Sequence, residues 1–207
     1  MAKQNVIKNN KFKNAFKIAA AALCAAAIVA IVIITGRQNA DKAEKTLNTT
    51  VMGTTASITV YGRNGSDIID DIMDLENNLD EKVISWRSDG SEVWNINHSY
   101  KAGEDYQISD ELADVLERTL EISEDNGDLL DITIRPLAEV WGIESGSTNV
   151  PSQTDIDAAL SDVDVTQVTC ISAKNSSDGK PYVNIAKEGM SLDFGAVGKG
   201  YGCDVAA

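Results

Sequence analysis

An uncharged apolar run near the N-terminus constrains this chain more than any other feature. It extends from Ile18 to Thr35 and follows five lysines within the first 17 residues. As a helix it would be about 27 Å long, close to the thickness of the hydrocarbon core of a bilayer. Because lysines precede it and acidic residues follow it, we expect residues 1–17 in the cytoplasm and the body outside.

Three interpretations of this run remain open. A cleaved signal peptide has an apolar region of only about 7–15 residues that ends in small residues, whereas this run is longer. A lipoprotein with its lipid on Cys24 would place the bulky Leu23 directly before the modified cysteine. We favour a single-pass anchor in the cell membrane over residues 18–35, followed by a tether over 36–48. All three interpretations export the body.

The charge of the body argues against nucleic-acid partners. The whole chain carries −14, and from residue 18 onward 13 basic residues stand against 32 acidic ones. Such a surface repels phosphate backbones. A phosphorylated ligand would therefore need a metal ion or backbone amides beside it. His98 is the only histidine, which argues against a histidine metal site and a Ser-His-Asp triad.

Helical spacing appears in three places. Apolar residues from Ile68 to Leu79 follow Ser66, a plausible N-cap. A second helix is predicted over 110–126, with Ser109 as its cap and Gly127 as its end. Thr154 to Asp157 resembles a capping box that opens a short third helix.

The sequence also contains strand patterns. Together with the helices they predict an α/β fold of the α+β kind, in which the helices combine with a mixed sheet. The predicted strands are Ala56–Tyr61, Val165–Ile171, Tyr182–Ala186 and Met190–Phe194. Cys170 and Cys203 have no disulfide-framework spacing, so two small buried side chains are favoured over a disulfide.

A glycine-rich segment follows the last predicted strand. Its sequence, SLDFGAVGKGY, ends a strand at Asp193 and begins a helix near Tyr201. Its glycines would let the backbone approach a ligand, Lys199 could contact phosphate, and Asp193 could bind a ring or ribose. The spacing fits neither a P-loop nor a GxGxxG fingerprint. A tight strand-to-helix turn with a surface lysine is an equally good explanation of this spacing.

Three other segments could carry chemistry. In DITIRPLAEVWG, Asp131 and Thr133 would point the same way on an extended segment, although a buried strand edge with Trp141 in the core also fits. WRSDGSEVWNIN places an aromatic residue and an asparagine on a loop before the second helix. Met52-Gly53-Thr54 means little by itself.

Together the four segments resemble the ApbE family, the FAD:protein FMN transferases. In order they are MGTTASITVYG, WRSDGSEVWNIN, DITIRPLAEVWGI and SLDFGAVGKGYGCD. The last two match the family patterns Asp-x-Thr-x-x-Pro-Leu-x-x-x-Trp-Gly and Asp-x-Gly-x-x-x-Lys-Gly-Tyr-x-x-Asp. The resemblance covers residues 49–207 and implies an ApbE-like α/β domain there.

The resemblance also implies an activity. A threonine hydroxyl of an acceptor protein would attack the FMN phosphate of FAD, AMP would leave, and Mg²⁺ would be required. The acceptors would be flavoproteins of Rnf- or Nqr-type or related extracellular redox systems. A non-catalytic, membrane-tethered flavin-binding module and an FAD pyrophosphatase are the alternatives. Matching positions imply FAD contacts at Met52, Trp86, Leu129, Leu130, Asp131, Asp193 and Lys199, and a metal-binding carbonyl at Ala196.

The sequence departs from the family pattern at three points. Arg135 precedes the proline where glycine is common, and Trp86 replaces a smaller aromatic residue. The family's His-x-x-Asp-Pro-x-Thr-Gly segment and metal-binding Asp-x-x-x-Thr segment do not occur in this sequence. We therefore expect residues 49–207 to be a C-terminally incomplete domain, with an incomplete metal site and no FMN transfer on their own.

Overall fold

The computed structural model describes residue 23, residues 26–37 and residues 42–207. Residues 26–37 are helical. Residues 1–22 and 24–25, which include the predicted cytoplasmic segment, most of the first half of the anchor and Cys24, lie outside the described residues. Within the described part of the chain, none of the helices combines the length and apolar character needed to cross a bilayer.

The chain divides into two compact units. The first comprises the described residues up to Asn48 together with Ser57–Asp70, and the second comprises Thr49–Ala56 and Asp71–Ala207. The second unit contains all of the segments that the sequence analysis singled out for chemistry, except residues 57–62 of the segment MGTTASITVYG, which belong to the first unit.

The first two strands form a hairpin. Strand β1 is Glu44–Val51 and β2 is Thr54–Tyr61, so the predicted strand is confirmed and begins two residues earlier. Residues 44–48, predicted as tether, are strand instead. Met52 and Gly53 form the two-residue turn with φ of +48° and +69°, the left-handed conformation that a type I′ turn requires.

The first helix leads directly into a π-helical turn whose apolar residues are buried. Helix α1 is Gly65–Asn78 and continues as a π-helical turn over Leu79–Ile84. It begins before Ser66, so the predicted cap lies inside the first turn. Leu79, Val83 and Ile84 are buried.

A helix replaces part of the loop predicted over Trp86–Asn97. Helix α2 is Glu92–Ser99, and the Ser91 hydroxyl caps it by accepting a hydrogen bond from the Trp94 N–H. Val93 and Ile96 are buried three residues apart. This spacing is helical but too short to stand out in sequence.

The next helix confirms its prediction. Helix α3 is Asp110–Asp125, the Ser109 hydroxyl accepts from the Leu112 N–H, and Gly127 follows with φ of +65°.

Two short helices follow. Helix α4, Arg135–Val140, was not predicted; a proline lies in its first turn. Helix α5 is Gln153–Leu160, and its cap is Ser152 rather than Thr154, because the Ser152 hydroxyl accepts from the Asp155 N–H.

A sheet in the order β3-β5-β4 lies in the second unit, and both of its strand pairs are antiparallel, whereas a mixed sheet was predicted. Its strands are β3 Asp105–Gln107, β4 Val168–Ile171 and β5 Tyr182–Ile185. Residues 165–167, predicted as strand, form a 3₁₀ turn.

The predicted strand Met190–Phe194 is wrong. Within the described residues, Ser191 makes only one isolated parallel bridge, to Ile134. Alternate residues are buried as a strand pattern requires, but the backbone of Leu192 is bonded on both sides by the Asn97 side chain. A side chain therefore replaces a ladder partner.

The core of the second unit joins the helices to the sheet. Its largest fully buried side chains include Phe194, Leu79, Ile96, Leu112, Leu116, Ile132, Ile185, Met190 and Leu192. Among the described cysteines, Cys170 is a half-buried free thiol and Cys203 an exposed one, so the prediction that both are buried is wrong for Cys203.

Candidate functional site

A cavity of about 720 Å³ in the second unit collects residues from four separate parts of the chain. They come from the β1–β2 turn, the π-helical turn with the residues just after it, the segment 130–144 that includes α4, and the glycine-rich segment. The cavity is lined by the sequence-predicted residues Met52, Trp86, Leu130, Asp131, Asp193, Ala196 and Lys199. Leu129, which was predicted with them, is 89% exposed and lies outside the lining.

The N-terminus of the last helix packs closely against the wall of this cavity. Helix α6 is Gly198–Ala206 and begins three residues before the predicted start near Tyr201. A Cβ atom on Gly198 would lie 2.5 Å from Ile84 Cδ1 and 3.6 Å from Met52 Sδ. A side chain at position 198 would therefore require the Ile84 side chain to move away from α6.

Asp131 organises the backbone beside the cavity. Its Oδ1 accepts hydrogen bonds from the N–H and hydroxyl of Thr133, at 2.7 and 2.5 Å. Its Oδ2 accepts from the Val165 N–H at 2.9 Å. Asp131 and Thr133 were predicted to point the same way on an extended segment, but they meet in a turn instead. Trp141 is 39% exposed rather than part of the core.

Asp193 shapes the glycine-rich turn in a similar way. Its N–H donates to the Ile132 carbonyl at 2.7 Å, and its Oδ1 accepts from the Gly195 N–H at 2.7 Å. The Lys199 ammonium donates to the Gly195 carbonyl at 3.1 Å and stays exposed. The turn thus holds an aspartate and a lysine at one wall of the cavity.

The indole ring of Trp86 forms another wall, and the guanidinium groups of two arginines lie over it. Arg135 Cζ lies 3.2 Å and Arg87 Cζ 4.3 Å from the centroid of its ring, within cation–π range. Glu144 Oε1 pairs with Arg87 Nη2 at 3.1 Å and lies 3.6 Å from Arg135 Nη1. Of these charged residues, Arg87 and Glu144 line the cavity.

The electrostatics of the cavity depend on residues that the sequence analysis missed. Burial raises the pKa of Asp80, and the cations of Arg87 and Lys199 together with a hydrogen bond from the Met52 N–H lower it only in part. Arg87 was detectable as the neighbour of Trp86. No local signal pointed to Asp80 or Glu144, because only the fold brings them to the cavity.

The described residues do not form a complete magnesium site. Ala196, to which the resemblance assigns a metal-binding carbonyl, lines the cavity. Among the described residues, however, no group of three or more His, Cys, Asp or Glu side chains is arranged to hold a metal ion. The Asp131 carboxylate already accepts three hydrogen bonds. Magnesium needs near-octahedral oxygen ligands, usually with carboxylates.

A sequence profile of the ApbE family matches residues 52–207, the stretch that supplies the whole cavity. The chain belongs to the ApbE family.

Curated ApbE relatives include enzymes with a stated reaction. The chain is 26% identical over 127 residues to the FAD:protein FMN transferase of Escherichia coli K12, covering 60% of this chain and 35% of that protein. It is 24% identical over 169 residues to that of Salmonella typhimurium, covering 80% and 47%. The chain thus spans less than half the length of these relatives.

Solved ApbE structures confirm the mixed α/β fold. The ApbE protein of Thermotoga maritima aligns with a TM-score of 0.68 at 25% identity, covering 79% of this chain and 51% of that one. The apo flavinyl transferase ApbE of Pseudomonas stutzeri aligns with a TM-score of 0.67 at 21% identity, covering 80% and 54%.

Proposed function

We propose that this chain provides the FAD-binding part of an FAD:protein FMN transferase. The observation that carries the proposal is the single cavity lined by six of the seven predicted FAD residues, together with Ala196. These residues are up to 147 positions apart in sequence, from Met52 to Lys199. The curated relatives from Escherichia coli and Salmonella typhimurium are named for this reaction, which supports the same activity here.

The chemistry of the walls suits a flavin dinucleotide. Trp86 and Met52 offer apolar surface for a flat ring system, whereas Lys199 and Arg87 offer positive charge for a pyrophosphate. In the proposed reaction an acceptor threonine oxygen bonds to the FMN phosphorus and its proton passes to solvent, the pyrophosphate bond breaks, and AMP leaves with the bridging oxygen. Such phosphoryl transfer depends on positioning and charge neutralisation more than on covalent catalysis.

The test is to incubate the full 207-residue chain in detergent with FAD, Mg²⁺ and an acceptor domain that carries a threonine. Mass spectrometry of the acceptor and measurement of AMP separate the possibilities. An FMN adduct means transferase, AMP without adduct means pyrophosphatase, and calorimetric FAD binding without either product means a flavin-binding module. From the incomplete metal-ligand set we expect binding without adduct for this chain. No measurable FAD affinity would refute the proposal.

Magnesium dependence is supported only by the resemblance and by the position of Ala196. If the proposal holds, an assay in which flavinylation occurs should lose it on addition of EDTA and regain it with Mg²⁺. Flavinylation that is unaffected by EDTA would remove magnesium from the proposal.

We also propose that the body lies outside the cytoplasmic membrane and serves an extracytoplasmic redox flavoprotein of the Rnf or Nqr type. The support is the lysine-rich start and the uncharged run of residues 18–35. Protease added to intact spheroplasts should digest the body while it remains membrane-attached. Full protection would contradict this topology, and release into the medium would indicate cleavage.

A further inference from the structure

Two arginines compete for one carboxylate beside the cavity. Arg87 Nη2 lies 3.1 Å from Glu144 Oε1, within hydrogen-bond range. Arg135 Nη1 lies 3.6 Å from the same oxygen, beyond that range. In this structure Glu144 therefore bonds Arg87 and only approaches Arg135.

The arginine that Glu144 only approaches is the more buried one, and its Nη2 donates to Glu139 Oε1 at 2.5 Å. The side chain of Arg135 is 13% exposed, against 63% for Arg87. Within the described part of the chain, Arg135 Nη1 is buried and has no hydrogen-bond partner. An unsatisfied buried donor destabilises a fold. Glu144 would satisfy this donor if Arg87 released the carboxylate.

Arg87 is also the arginine that can reach a ligand. Arg87 and Glu144 both line the cavity, and Arg135 is not among its lining residues. Carboxylates of Asp80, Asp131, Asp193 and Glu144 line the same cavity, with Lys199 as the other cation. An anionic ligand entering this acidic space would need a strong donor, and a guanidinium group binds phosphate oxygens in a bidentate manner.

We propose that Arg87 binds the pyrophosphate of the ligand by exchanging partners. Arg87 leaves Glu144 for the phosphate oxygens, and the Glu144 carboxylate moves from 3.6 Å to hydrogen-bond distance of Arg135 Nη1. Each charged group keeps a partner in the exchange, and the buried donor of Arg135 acquires the acceptor that it lacks. This assignment rests on the proposed function, in which the cavity takes FAD.

The first experiment measures calorimetric affinities of the full chain in detergent for FAD and for riboflavin, which has no phosphate. Arg87→Met keeps an apolar side chain near Trp86 but removes the charge. We expect the affinity for FAD to fall by about tenfold or more and the affinity for riboflavin to stay unchanged. Arg87→Lys should recover part of the loss. Lys101→Met, which removes one positive charge at an exposed position outside the cavity, should leave both affinities unchanged.

The second experiment tests the role of Glu144. Glu144→Gln weakens the hold on Arg87, so we expect several-fold tighter FAD binding. A general reduction of negative charge would have the same effect. The double variant Arg87→Met/Glu144→Gln separates the two, because a gain that acts through Arg87 disappears when Arg87 is absent.

The outcomes are distinguishable. Unchanged FAD affinity in Arg87→Met, or an equal loss for riboflavin, would overturn the assignment of Arg87. A gain from Glu144→Gln that persists in the double variant, or no gain in the single variant, would overturn the exchange. If the wild-type chain bound no FAD, the proposed function would fail and this inference with it.

Discussion

At the scale of single residues, two carboxylates at the cavity accept hydrogen bonds from the backbone around them. Asp131 and Asp193 were predicted as FAD contacts from a resemblance, and both line the cavity. The structure adds that each accepts hydrogen bonds from nearby N–H groups. A sequence motif does not distinguish a residue that positions the wall of a site from one that contacts the ligand.

Asp131→Ala should therefore destabilise the fold as well as alter the site. It leaves the N–H groups of Thr133 and Val165, both in buried residues, without their acceptor. We expect the free energy of unfolding to fall by about 2–4 kcal/mol, measured by urea denaturation. Asp125→Ala, at the exposed end of α3, is the matched control and should change stability little. Equal stability of the two variants would contradict the role assigned to Asp131.

At the scale of elements, glycines decide how closely α6 packs. A Cβ atom on Gly202 would lie 2.5 Å from Glu76 Oε2 and 2.8 Å from Glu76 Oε1, whereas one on Gly200 would meet nothing within 4 Å. Both glycines lie in the same helix, so they have similar helix propensity and differ in packing.

This difference predicts opposite effects of the same substitution. Gly202→Ala should lower the free energy of unfolding by about 1–3 kcal/mol, because α6 or the buried Glu76 must move. Gly200→Ala should leave stability unchanged or raise it by up to about 1 kcal/mol, since alanine favours a helix. Thermal unfolding followed by circular dichroism measures both. A destabilised Gly200→Ala variant would show that the effect is not packing.

At the scale of the whole molecule, negative charge opposes the compact state. The chain carries a net charge of −14, Glu76 is buried and Asp80 is half-buried. Burial raises the pKa of Glu76, with Asp80 as a second cause, and burial also raises the pKa of Asp80. A raised carboxyl pKa means that the folded state binds its proton more tightly than the unfolded chain does.

The consequence is a loss of stability as pH rises. The contribution of Glu76 is fully present below its ordinary pKa of 4.5 and is lost as pH rises through the raised value. Glu76→Gln should therefore raise the melting temperature at pH 7, and the gain should shrink on acidification towards pH 4. Glu124→Gln removes the same charge at an exposed position and should not reproduce this pH dependence. A gain independent of pH would point to net charge rather than burial.

The sequence alone predicts those parts of the structure whose signal lies in neighbouring residues. The spacing from Ser109 to Gly127 predicts α3, because its cap, its apolar stripe and its end lie on consecutive turns. The motifs around Asp131 and Asp193 resemble the family's patterns and thereby predict the family and several of the residues that line the cavity, because each motif is a run of neighbouring residues. The predicted strand Met190–Phe194 shows the limit: alternation correctly predicts which side chains are buried, but not what the backbone bonds to.

Only the tertiary structure decided which distant groups share the cavity. The carboxylates of Asp80 and Glu144 and the guanidinium of Arg87 meet there because separate turns and helices converge, and no local pattern records that convergence. The same holds for the burial of Arg135, whose Nη1 is left with an ion-pair distance of 3.6 Å instead of a hydrogen bond. Consecutive residues determine caps and turns, whereas burial and charge pairing depend on contacts between segments far apart in the chain.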